Sequence, residues 1–402
     1  MSGDKLRRIL FKGDSIIWAV FFIICAISWV EVFSATSRQI SDSENYWHPI
    51  IKHTAFLMGG IFVVWFIQNL KLYQIKKLTN LFYWLGLIGL IWAQFSSSRI
   101  NGSARWISVF GLFTIQPMEF AKMGLIMVTA RILSDYQTED GTDGGALKEI
   151  AKYSILPILI ILKENLSTAG LLILAIYMMM YIAKMPWKQL LSLFGIGIAT
   201  AALGIITIVS LPDSLADKGE FGSKVITWKH RFVDAGNNTP IDPDNYVIDD
   251  DQRAHANMAI ASSHLFGCGP GNSVQRDNIP HAYSDFIYAI IIEELGLIGG
   301  VFIILLYMTF LYRSGKIANK SEDAQSAYIA MGIGLIITLQ AMLHMYISVG
   351  DFVTGQPLPL MSQGGTSVII NCIYIGMLLC ISRHTMKAET KEIKVANETN
   401  NQ

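Results

Sequence analysis

The stretch YSDFIYAIIIEELGLIGGVFIILLYMTFLY, Tyr283 to Tyr312, decides the architecture. Its charges, Asp285, Glu293 and Glu294, lie toward one end, and from Leu295 onward it has none. About 20 mostly apolar residues in a helix cross the roughly 30 Å of hydrocarbon in a bilayer. The stretch therefore predicts a membrane-spanning helix that opens on Asp285 and carries two further carboxylates about two turns deeper.

Working outward, the same criterion finds about ten spans and predicts an all-α polytopic membrane protein. Their approximate limits are 14–33, 49–69, 78–95, 114–133, 151–162, 167–183, 189–210, 283–312, 324–349 and 366–382. Lys163-Glu164-Asn165 joins the fifth to the sixth so closely that they form either a tight helical hairpin or one long broken segment. Arg7, Arg8 and Lys12 before the first span, and Ser34 and Ala35 after it, imitate a signal peptide. The apolar run exceeds the usual h-region of roughly 7–15 residues, so it reads as an uncleaved helix.

Composition agrees. Of the 402 residues 52% are hydrophobic and 15% charged, against about 25% charged in ordinary soluble domains, which argues against a water-soluble enzyme. The 31 basic residues balance the 31 acidic ones, so charge gives no reason to invoke nucleic acid. Cys25, Cys372 and Cys380 lie in apolar runs and Cys268 in a polar one, which is no disulfide framework. An N-terminus inside places 19 Lys and Arg on the cytoplasmic side and 11 on the other, 6 of those in one long loop where the rule is weak. Both termini are therefore expected in the cytoplasm. The expected organisation is an N-terminal segment 1–13, one membrane domain 14–386 with an extracytoplasmic loop 211–280, and a polar, disordered tail 387–402. The loop contains a short helix near 254–263 and an acidic patch, Asp242, Asp244, Asp249, Asp250 and Asp251, whose spacing fits a solvated surface better than a calcium loop.

An ionisable side chain inside a span costs at least about 2.5 kcal/mol, so each needs a partner or a task. Glu119 and Lys122 are three residues apart, on one helix face. Buried ion pairs are weak sources of stability, so this one is read as functional rather than self-neutralising. At 100° per residue, Glu293 lies about 80° from Asp285 and Glu294 points the opposite way, toward a different neighbour. Asp285 sits near the water boundary, where a polar substrate can reach it; Glu293 and Glu294 are read as structural, and His281 as a polar cap. Two glycine-rich stretches, Gly267-Cys268-Gly269-Pro270-Gly271-Asn272-Ser273 and Ser362-Gln363-Gly364-Gly365-Thr366-Ser367, fall at outer helix ends. Neither is a Walker or dinucleotide motif. The second is either a phosphate site at a helix N-terminus or a tight turn with an N-cap.

These motifs together resemble the SEDS family (shape, elongation, division and sporulation proteins), its division member more than its elongation member. The likeness is carried by Asn101-Gly102 with Arg105-Trp106-Ile107; by Gln116-Pro117-Met118-Glu119-Phe120-Ala121-Lys122; by the Gly267–Ser273 stretch; by Ser284-Asp285-Phe286-Ile287-Tyr288-Ala289 leading into Glu293-Glu294-Leu295-Gly296; and by Thr354-Gly355 with Leu358-Pro359-Leu360-Met361 running into Ser362–Ser367. The chain departs from the family pattern at Glu164-Asn165-Leu166-Ser167-Thr168, at Ser262-Ser263-His264 and at Gln363.

The resemblance implies a peptidoglycan glycosyltransferase acting during cell division on the outer face of the bacterial inner membrane, at the septum. Its implied substrate is lipid II, the undecaprenyl-pyrophosphate-linked disaccharide-pentapeptide. Its implied partners are a class B penicillin-binding transpeptidase and other division-complex proteins. In that reaction a sugar 4-hydroxyl attacks an anomeric carbon with inversion while lipid pyrophosphate departs, which needs a base and positive charge. Asp285 matches the family's catalytic position. Lys122, Arg105 and the Gly364, Gly365, Thr366 and Ser367 turn are the candidates for the pyrophosphate, with Glu119 holding Lys122 and Glu293, Glu294 and His281 supporting. A divalent cation, Mg or Mn, could share that task, although no clean ligand set is visible. A flippase or transporter of the lipid-linked precursor, and a non-catalytic scaffold, are the competing readings.

Overall fold

The computed structural model describes residues 11–36, 48–95, 107–109, 113–210, 222, 229, 252–279, 282–349 and 356–400. Arg105, His281, Asn101-Gly102, Thr354-Gly355 and the acidic patch lie outside them.

Asp14 starts the first helix, α1 (Ser15–Ala35), by accepting the N–H groups of Ile16 and Ile17 at 2.9 and 3.1 Å, which satisfies two donors that a helix end leaves open. Arg313 pairs with the same carboxylate. There follow α2 (His48–Gln68), α3 (Leu72–Phe95), α4 (Pro117–Asp135), α5 (Ala146–Glu164), α6 (Leu166–Ile182), α7 (Trp187–Ser210), α8 (Gln252–Ser262), α9 (Ile287–Lys320), α10 (Ala324–Val349) and α11 (Gly365–Asn400). Two short antiparallel pairs, β1 (Ile107–Val109) with β2 (Phe113–Ile115) and β3 (Gln137–Thr138) with β4 (Gly141–Thr142), flank α4.

Each of the ten expected apolar segments is a helix over most of its length. Seven, α1, α2, α3, α7, α9, α10 and α11, are long and apolar enough to cross a membrane, and α6 is a shorter apolar helix. α4 is the inner helix, packed against α3, α5, α6, α10 and α11 and buried along most of its length. In α7 only Leu190 is buried. Large apolar side chains on the outside of the bundle, among them Trp84, Trp92, Phe62 and Phe194, suit a lipid solvent, which asks only that backbone polar groups be paired internally.

The helix limits decide one open choice and change two expectations. The fifth and sixth segments are two helices separated by Asn165 alone, which is extended (φ −154°, ψ 102°) and caps α6 by accepting the Thr168 N–H at 3.1 Å. α9 begins at Ile287, so Asp285 stands in a turn ahead of the helix and the angular relation drawn from it to Glu293 and Glu294 does not hold. α11 continues to Asn400 through the tail expected to be disordered. No Gly or Pro interrupts it after Gly376, Ala, Lys and Glu favour helix there, and Lys320 meets Glu389 at 2.6 Å.

Candidate active site

The turn that carries Asp285 is held from the far end of the sequence. Ser362 Oγ takes the Leu358 N–H at 2.7 Å and donates to the Ser284 carbonyl at 2.8 Å, while the Gln363 N–H donates to the Tyr283 carbonyl at 3.0 Å. Two successive carbonyls just before Asp285 are thus bound by the segment that leads into α11. The Ser284 hydroxyl donates to Asp285 Oδ1 at 2.9 Å, and the Asp285 side chain is half-buried. Ahead of the first turn of α9, its carboxylate lies at the end of the helix where open N–H groups favour negative charge.

The clasping segment is itself gripped by several helices. From α1, Ser28 donates to the Met361 carbonyl at 3.1 Å, with His53 of α2 at 3.0 Å from the same hydroxyl. Tyr307 of α9 donates to the Pro359 carbonyl at 2.5 Å. From α10, His344 Nδ1 donates to the Gln356 carbonyl at 2.6 Å and Gln340 Nε2 to the Pro357 carbonyl at 3.0 Å. The Gln356 amide reaches the Thr168 hydroxyl of α6. Leu360 sits at φ +64°, a backbone state a bulky residue keeps only where its surroundings over-determine it.

Lys122 and Glu119 form the ion pair that their spacing allows, at 2.8 Å, with side chains 1% and 4% exposed. The ammonium also donates to Gln340 Oε1 at 2.9 Å, so it is enclosed by the protein's own acceptors. Gly364, Gly365 and Thr366, half-buried, and Ser367, buried, open α11 immediately after Gln363. The structure thus brings the Asp285 turn together with the start of α11 and joins the ion pair to both through Gln340.

The other glycine-rich stretch does something different. Its N–H groups bind the protein's own glutamates at a break in α9, where Gly296 has φ 73° and ψ −179°. Glu293 takes the Ser273 hydroxyl and the N–H groups of Val274 and Gln275 at 3.0 and 3.4 Å. Glu294 takes the Ser34 hydroxyl and the N–H groups of Gly271 and Ser273 at 3.0 and 3.3 Å, with Arg276 Nη1 at 3.7 Å. One loop therefore meets both carboxylates, and Glu294 also meets a second neighbour, Ser34 of α1. Burial, and then the Glu293 and Glu294 charges, push the Cys268 thiol above its ordinary range, which suits a passive thiol and not a nucleophile.

Glu31, Arg276 and Gln340 were not singled out from the sequence. Glu31 is 1% exposed on α1, no N–H or O–H reaches its carboxyl among the described residues, and the group it faces is Glu294. The signal was present: Glu31 interrupts an apolar run just as Glu119 does. Arg276 donates to Ser34 at 2.8 Å, and nothing in its polar loop marks it. Among the described residues no group of three His, Cys, Asp or Glu side chains could hold a metal.

A family model described as cell cycle protein, covering FtsW, RodA and SpoVE, matches residues 14–387. A protein of Halomonas elongata named probable peptidoglycan glycosyltransferase FtsW is 29% identical over 93% of this chain and 91% of its own length. Among solved structures, a chain of a peptidoglycan synthase complex aligns with TM-score 0.69 and 21% identity over 93% of this chain and 98% of that one. The rod shape determining protein RodA of Thermus thermophilus aligns with TM-score 0.64 and 20% identity over 92% and 97%. The fold, the order of the motifs and the matched length agree: this chain belongs to the FtsW/RodA/SpoVE family of cell cycle proteins.

Proposed function

We propose that the chain is a division-type peptidoglycan glycosyltransferase that polymerises lipid II, with Asp285 as general base. The observation that carries this reading is the Asp285 turn. A half-buried carboxylate stands at one end of a membrane bundle on a backbone whose two preceding carbonyls are bound by Ser362 and Gln363. A general base must lie within hydrogen-bond reach of the proton it removes, and a held backbone meets that need better than a mobile loop.

With the N-terminus in the cytoplasm, the Asp285 end of α9 faces outward, because Arg313, which meets Asp14, is near the other end of the same helix. In the proposed step, Asp285 takes the proton from the 4-hydroxyl of an incoming saccharide. That oxygen bonds to the anomeric carbon of the lipid-linked chain, and the bond from that carbon to pyrophosphate breaks. Peptide N–H groups and hydroxyls at Gly364, Gly365, Thr366 and Ser367, with Arg105, are the donors proposed for the leaving group. Lys122, enclosed by Glu119 and Gln340, is assigned a supporting place. A divalent cation, Mg or Mn, carried on the substrate's pyrophosphate would neutralise the same charge.

The proposed partners are a class B penicillin-binding transpeptidase and other division-complex proteins, at the septal inner membrane. A flippase needs a polar passage from leaflet to leaflet. Glu119 and Lys122, both buried, face their own chain instead, which favours the polymerase. The test is to supply the purified full chain, with a transpeptidase partner, with lipid II and to separate the products on a gel. Strands from the wild type and none from Asp285→Asn are expected; equal strands from both would end the assignment of the base.

A further inference from the structure

Gln340 lies within α10, 3% exposed, and makes two hydrogen bonds that fix the direction of its carboxamide. Its Oε1 accepts from Lys122 Nζ at 2.9 Å and its Nε2 donates to the Pro357 carbonyl at 3.0 Å. Turned over, the amide would set N–H against ammonium and oxygen against carbonyl, so one orientation is selected. On one side of it stands the Glu119–Lys122 pair on the buried helix α4. On the other side begins the segment whose Ser362 and Gln363 hold Ser284 and Tyr283.

The geometry points to Gln340 as a positioning residue that ties the place of the Asp285 turn to the Glu119–Lys122 pair. The assignment rests on reading Asp285 as the base. Gln340 touches no reacting atom. Its anchor is a charge-assisted hydrogen bond, the stronger kind, to an ammonium that Glu119 neutralises and α4 holds inside the bundle. This gives the buried pair a task that Coulomb attraction alone does not supply, since a buried pair contributes little net stability. A base displaced by about 1 Å from its productive place can lose about a hundredfold in rate, so the relay needs to move the turn only slightly to matter.

Two full-length variants test it. Gln340→Glu keeps an acceptor for Lys122 but, ionised, offers no donor to Pro357; Gln340→Met keeps the length and loses both bonds. Amide hydrogen exchange is read over 358–363 and 283–286 without reference to activity, and lipid II polymerisation is read separately as kcat and KM. Faster exchange confined to those two segments is expected in both variants, with kcat down about 10- to 100-fold and KM within about twofold. Wild-type exchange over 358–363 would overturn the relay whatever the activity. So would exchange that rises throughout the bundle, or a raised KM with kcat intact. A wild type that makes no strands would instead remove the polymerase reading, and the exchange result would still decide the link between Gln340 and the turn.

Discussion

Gly267 and Gly296 meet backbone to backbone: a Cβ on Gly267 would lie 2.4 Å from the Gly296 nitrogen, and one on Gly296 would lie 2.5 Å from the Gly267 nitrogen. Both residues have positive φ, 70° and 73°. This contact lets the loop before Asp285 sink into the break in α9, so that Cys268 and Gly269 donate to the carbonyls of Glu293 and Glu294 at 3.0 and 2.8 Å.

Gly296→Ala should therefore be strongly destabilising. A backbone at φ 73° and ψ −179° is essentially confined to glycine and costs another residue about 1–3 kcal/mol, and the added methyl would also lie 2.4 Å from the Leu265 carbonyl, where a rigid backbone cannot yield. A thermal melt of the purified protein checks this; a Tm within a degree of the wild type would show that loop and break are not locked together.

Ser362→Ala removes the donor to the Ser284 carbonyl and the acceptor for the Leu358 N–H. Each buried group left unpaired costs about 1–3 kcal/mol, so the Tm should fall, and the protein that remains folded should make glycan strands at least about tenfold more slowly because the turn has lost one of its two supports. A wild-type rate would show that the Gln363 bond to Tyr283 holds the turn unaided.

Much of the architecture was legible because membrane helices announce themselves locally: each expected span needed only a run of apolar side chains within one window. The site was legible as a set of residues and not as an arrangement. Lys122 and Gln340 are separated by 218 positions and Ser362 and Ser284 by 78, so no periodicity relates them. The expectation that α9 starts at Tyr283 failed for the same reason: the Tyr283 and Ser284 carbonyls, free to enter a helix on local grounds, are taken by the segment before α11. The glycines from 267 to 271 matched no ligand motif in the sequence, and what they bind, Glu293 and Glu294, lies more than 20 positions on.

Lys122→Ala should destabilise the fold as well as loosen Gln340. It leaves the Glu119 carboxylate buried without its cation, a change worth about 3–5 kcal/mol when a buried pair is broken, and frees the Gln340 oxygen. Folded yield and Tm should fall, and pairing the change with Glu119→Gln should restore part of the stability. If the double variant is no more stable than Lys122→Ala alone, an uncompensated charge is not the cause.

The opposite end of the bundle offers a prediction in pH. Asp323, in the turn between α9 and α10, accepts from Lys76 Nζ at 2.5 Å and from the Ser326 N–H and hydroxyl at 2.8 and 2.5 Å. Burial alone would raise its carboxyl, but the Lys76 ammonium and the two Ser326 donors outweigh it and hold the group below the ordinary carboxylate range. A carboxyl depressed in the folded state stabilises above its unfolded pKa, and that contribution is lost as the pH falls through the lower folded value. Wild-type Tm should therefore decline on acidification across that window, and Asp323→Asn, which keeps an oxygen for the helix cap and removes the charge, should decline less steeply. The Lys76 and Asp323 side chains are each about one-third exposed, so added salt should weaken the difference. Parallel acid limbs for the two proteins would show that the bridge contributes nothing to the pH dependence.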